Sequence, residues 1–74
     1  MRQKLTVNTI RDYLIDQTTD ALRRDARFIA PHIVIRRRDD EPNWDASVGV
    51  QRPKVLEAFT FVQRQLQAEY DIAW

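Results

Sequence analysis

Cysteine is absent from the chain, and histidine and glycine occur once each, at His32 and Gly49. Without cysteine there is no disulfide and no thiolate metal site. A single imidazole does not make a zinc site. Three prolines and one glycine leave little room for a long flexible linker. No apolar run is long enough to span a bilayer. The opening Met1-Arg2-Gln3-Lys4 is basic, but no apolar h-region follows it, so neither a signal peptide nor a membrane span is expected. The expected location is the cytoplasm.

What is present is an ordinary globular composition with a slightly raised charged share, 31%. Aromatic and β-branched residues are spread through the chain, which argues against disorder. Seventy-four residues make a single domain, 1–74. A chain of this size buries only about 60% of the surface its unfolded form exposes. Its core supplies roughly 3–5 kcal/mol of net stability. Small domains commonly add a staple. With disulfides and thiolate metal sites excluded, helix packing and self-association remain, and a homodimer is the expected state.

The net charge of +1 hides an asymmetry: residues 1–38 hold nine basic and four acidic side chains, residues 39–74 three and seven. The halves thus carry +5 and −4. Either folding brings these opposite charges together, or it leaves a positive face for an anionic partner.

Val7, Ile10, Leu14, Ala21 and Leu22 fall on one stripe at about 100° per residue, with Thr18 filling the gap. They predict a helix over about 7–27. Thr6 or Asn8 is the expected cap, and Arg23, Arg24 and Arg27 sit at the negative end of the dipole. The run Gln17-Thr18-Thr19-Asp20 is its weak point, where a kink or break is expected if anywhere. Residues 31–38 are short, β-branched and begin with Pro31, so they read as a strand. Asp39-Asp40-Glu41-Pro42-Asn43 reads as a turn. From 44 to 50, Trp44, Ala46, Val48 and Val50 alternate with Asp45, Ser47 and Gly49, the pattern of a half-buried strand. Pro53 opens a second helix, over about 53–70. Its apolar stripe is Val55, Phe59, Val62, Leu66 and Tyr70, and Ile72-Ala73-Trp74 follows as an apolar tail. The predicted fold is α+β: a small αββα domain, two amphipathic helices packed on one face of a β-hairpin. Two strands alone are marginal in water. A third is expected either from Lys4-Leu5-Thr6-Val7 or from the hairpin of a second copy.

No catalytic constellation accompanies this fold. His32 has the pKa range of a general base, but no nucleophile lies near it in sequence, so a surface or half-buried histidine is the simpler reading. An enzyme would need a hidden cleft around His32 with a carboxylate beside it. Asp39, Asp40, Glu41 and Asp45 offer hard oxygens, but their spacing is not that of a calcium loop; a solvated turn balancing Arg36, Arg37 and Arg38 accounts for them. No metal, cofactor or small-molecule substrate is expected. Phe61 lies at least about 100° from the stripe of its helix, on the side of Arg64 and Ala68. Tyr13 is likewise off the first stripe. Large aromatics so placed mark either a contact with another chain or a core that wraps further round the helix. Trp74 either folds back or docks on a neighbour, whereas Trp44 is expected in the core.

The favoured reading is therefore a non-enzymatic interaction module that self-associates, with Tyr13, Phe61 and Trp74 as contact residues and the hairpin edge as a second surface. The alternative is a nucleic-acid-binding accessory protein that grips phosphates through Arg23, Arg24, Arg27, Arg36 and Arg38. Arg37 would face the other way on an extended strand, and the sequence pI of 8.2 is below the strongly basic range of such binders.

Overall fold

The computed structural model describes residues 2–22, 33–49 and 52–74. Among them are two helices and two small sheets, an α+β domain. The elements are β1 (Gln3–Leu5), α1 (Val7–Leu22), β2 (Ile33–Arg37), β3 (Trp44–Val48), α2 (Pro53–Glu69) and β4 (Tyr70–Ile72).

Thr6 is the residue that turns β1 into α1. Its Oγ1 accepts from the Thr9 N–H (3.2 Å) and its carbonyl from the Ile10 N–H (3.0 Å), so two amides of the first turn are satisfied. Asn8 lies inside the helix. The expected weak point at 17–20 is unbroken: α1 runs through it. Thr18 is fully buried there, and the Thr19 hydroxyl donates to the Ile15 carbonyl (2.7 Å). The predicted extension to residue 27 lies outside the described residues, as do Pro31, His32 and Val50.

β2 and β3 form the predicted hairpin, antiparallel with Ile35 opposite Ala46 and Arg37 opposite Trp44. Opposed residues share a face, so Ile33, Ile35, Ala46 and Val48 lie together, and all four pack against the core. The other face carries Val34 and Arg36 opposite Ser47 and Asp45. Trp44 is completely buried.

Two sequence expectations change. The segment after α2 is no loose tail: the helix ends at Glu69, and Tyr70–Ile72 becomes a strand with Ile72 in the core. The third strand is Gln3–Leu5, not Lys4–Val7. It joins β4 in parallel, Gln3 beside Tyr70 and Leu5 beside Ile72, instead of extending the hairpin. The Ala73 N–H donating to the Leu5 carbonyl (2.8 Å) continues this pairing.

Side-chain amides connect the two sheets and the helix. Asn43 Nδ2 donates to the Ile72 carbonyl and its Oδ1 accepts from the Ile72 N–H, both at 2.9 Å, as a strand residue would. β4 thus has β1 on one side and Asn43 on the other. The Trp44 indole N–H donates to the Tyr70 carbonyl (3.1 Å). On the outer edge of β3, Gln63 Oε1 accepts from the Ala46 N–H (2.9 Å) and its Nε2 donates to the Ala46 carbonyl (3.0 Å). Gln67 Nε2 reaches the Trp44 carbonyl (2.8 Å). α2 therefore satisfies backbone groups that a sheet edge otherwise leaves open.

The core joins Ile10, Leu14 and Leu22 of α1 to Val55, Phe59, Val62 and Leu66 of α2, with Trp44 and Ile72. Thr18 Oγ1 is buried in it without a hydrogen-bond partner among the described residues. A hydroxyl left unpaired in an apolar site costs about 1–3 kcal/mol. Thr18→Val keeps the shape and removes that cost. It is expected to raise the melting temperature by about 4–8 °C, near 1 kcal/mol, in a thermal melt; a lowered melting temperature contradicts this account. Asn43→Ala is expected to cost about 2–3 kcal/mol in a urea titration, because both polar groups of Ile72 lose their partner. Asn43→Asp should not rescue it, since a carboxylate cannot donate to the Ile72 carbonyl.

Candidate interaction surface

The buried stripe of α2 leaves the opposite side of that helix in solvent. Phe61 is 60% exposed and Leu56 39% exposed, and with Glu57, Thr60 and Arg64 they line a shallow depression of about 350 Å³. On its other side the Phe61 ring borders a second depression of about 330 Å³. This one lies between the helices and is lined by Ala21, Leu22, Lys54, Glu57 and Ala58. A large aromatic side chain thus stands between two hollows on an outward helix face. The Phe61 ring is exposed and does not join the core cluster. Leu56 was missed: it belongs to the same patch, and the sequence signal was an apolar residue off the stripe five positions before Phe61.

Among the described residues the charges around this patch form no ion pair. The ion pairs among the described residues are Arg2–Glu41 (3.5 Å), Arg2–Asp71 (3.1 Å) and Arg38–Asp40 (3.6 Å). Lys54, Glu57 and Arg64 take part in none of them.

The other candidate contacts lie elsewhere. Tyr13 is half-buried and meets Tyr70 edge to face, ring centres 5.9 Å apart, an arrangement worth about 0.5–1.5 kcal/mol beyond its buried area. It packs against the core beside Tyr70, the first residue of β4. Trp74 is 47% exposed, and its indole N–H donates to the Asn43 carbonyl (3.2 Å). It folds back onto the Asn43 loop and leaves half of its ring system in solvent.

A polar cleft of about 620 Å³ separates β1 from the hairpin loop, lined by Arg2, Lys4, Asp39, Asp40, Glu41, Asn43 and Asp71. Its centre is Arg2. The guanidinium donates to Asp71 Oδ1 (3.1 Å) and to the Tyr70 carbonyl (3.1 Å), so it serves the carbonyl end of α2, where a cation is favoured. Three of the four acids considered as a cation site, Asp39, Asp40 and Glu41, line this cleft beside Arg2 and Lys4. Asp45 stands apart, opposite Arg36. Among the described residues no group of three or more His, Asp or Glu side chains is placed to hold a metal ion.

The arginines of the nucleic-acid alternative are only partly in view. Arg36 and Arg38 stand on the outer side of the hairpin, Arg36 opposite Asp45 and Arg38 paired with Asp40. Arg23, Arg24 and Arg27 lie outside the described residues. No helix is long and apolar enough among the described residues to cross a membrane.

Phe59 and Phe61 are a controlled pair two residues apart. Phe59→Ala removes a ring that is 3% exposed and is expected to cost about 3–5 kcal/mol. That is comparable to the whole stability of a domain this small, so the circular dichroism signal should collapse at 25 °C. Phe61→Ala is expected to shift stability by no more than about 0.5 kcal/mol. Equal losses of helicity would make Phe61 a core residue. A comparison of this chain with protein-family models, with curated proteins and with solved structures finds no match.

Proposed function

We propose that the protein is a small non-enzymatic interaction module that self-associates through the outer face of α2. The observation that carries this reading is the exposed Phe61, set beside Leu56 between two hollows. Exposed aromatic side chains of this kind are where binding energy concentrates in protein interfaces. The small core supports it as well, since a domain with little apolar surface of its own gains stability from a second copy. The frame of the reading is an αββα arrangement with both helices over one face of the hairpin. Ile33, Ile35, Ala46 and Val48, all turned toward the helical core, support that frame. Trp74 is a secondary contact at the opposite sheet, and Tyr13 contributes through its packing on Tyr70. A cytoplasmic location belongs to the same reading.

The nucleic-acid alternative rests on Arg36 and Arg38 together with Arg23, Arg24 and Arg27. Its phosphate contacts would weaken steeply with salt, whereas a contact centred on Phe61 would not. The described hairpin gives it less support, because Asp40 and Asp45 stand against two of the five arginines.

Multi-angle light scattering tests the favoured reading. The expected mass at tens of micromolar is that of two chains, and Phe61→Ala is expected to shift it toward one. A single-chain mass at millimolar concentration overturns self-association. If chemical shifts move instead at the amides of Arg36 and Arg38 on adding a short duplex at low salt, the alternative takes its place.

A further inference from the structure

We infer that the partner of α2 is the α2 of a second copy, antiparallel, with the two-fold axis crossing midway between Thr60 and Phe61. The inference rests on the self-association reading and fixes its geometry. A two-fold axis perpendicular to a helix relates each position to the one equally far on the other side. With the axis between residues 60 and 61, Glu57 meets Arg64 of the copy and Arg64 meets Glu57 of the copy. The two Phe61 side chains flank the axis, each against Thr60 of the other helix.

Three observations select this arrangement. Glu57, Phe61 and Arg64 lie at helical spacings of 4 and 3, on one face, and all three are exposed. Neither charge has an ion-pair partner in its own chain among the described residues. Phe61 has a hollow on each side, so the ring of the copy can seat beside it without displacing core residues. Other registers fail on charge or on packing. Parallel helices would stack Glu57 on Glu57 and Arg64 on Arg64. Antiparallel helices slid by one turn in one direction set Arg64 against Lys54 and bury Phe61 against Glu57. Slid the other way, they leave Glu57 opposite Ala68 with no counter-charge. Only the central register gives two symmetric opposite-charge contacts around a paired aromatic centre.

A helix-on-helix contact of this kind falls at the small end of protein interfaces, below about 1,200 Å². The expected affinity is therefore micromolar, and the expected salt dependence modest but measurable, because the two ion pairs are at the rim.

Charge reversal tests the register. By sedimentation equilibrium, E57R and R64E are each expected to raise the dimer dissociation constant about tenfold or more, since each creates two like-charge contacts across the axis. The combined E57R/R64E variant exchanges the polarity and is expected to return within about threefold of the original value. Both positions are exposed, and far-ultraviolet circular dichroism checks that each variant keeps its helices. A dimer that tolerates both single reversals, or a double variant as weak as either single one, overturns this register while self-association stands. An original sequence that stays monomeric throughout overturns both.

Discussion

The junction at Asn43 and Trp44 holds the molecule together. Hydrophobic burial alone would place the helices and the hairpin near each other, but it would not fix where the strand after α2 lies. Asn43 does that by presenting an amide to Ile72 as if it were the next strand, with both hydrogen bonds at 2.9 Å. One residue later, Trp44 fills the core and spends its N–H on the Tyr70 carbonyl. That same carbonyl also accepts from Arg2, so the end of α2, the hairpin and the residue before β1 converge on one backbone group. Directional bonds decide the arrangement here, and the apolar contacts supply most of the energy.

Much of this was legible in the sequence. The stripes Ile10–Leu14 and Val55–Phe59–Val62–Leu66 are the helical core. Thr18 fills the gap in the first stripe as its position demanded, and Trp44 is buried at the head of the alternating strand. Phe61 stood out because 3.6-residue geometry leaves it no place on the inward face. The short elements were not legible. Gln3–Leu5 and Tyr70–Ile72 are three residues each, too few for alternation to show, and their pairing joins distant parts of the chain. Asn43 reads locally as a turn former; its partner is 29 residues away. Gln63 and Gln67 look like polar flanks of an amphipathic helix until β3 is set beside them. Patterns with a short period reveal which side faces inward, and they are silent about a single amide aimed at a remote backbone.

The charge asymmetry finds a partial answer in the same region. Arg2, from the basic half, pairs with Asp71 and Glu41 of the acidic half. Lys4 lines the same cleft among further acids. Opposite ends of the sequence dipole are therefore placed side by side. The face of α2 around Phe61 is different: it is mixed in sign, with Lys54, Glu57 and Arg64, and among the described residues none of these three takes part in an ion pair.

The parallel pairing of β1 with β4 also sets how the molecule resists force. A tether at residue 2 pulls on the beginning of β1, and one at residue 74 pulls beyond the end of β4. Because the strands run the same way, the two pulls slide them past each other lengthwise. Their cross-links are then strained simultaneously, with no single bond exposed as the first tooth of a zipper. The Arg2–Asp71 contact lies across the same plane of sliding. Three residues on each side thus act as a mechanical clasp, stiffer under tension than their length suggests.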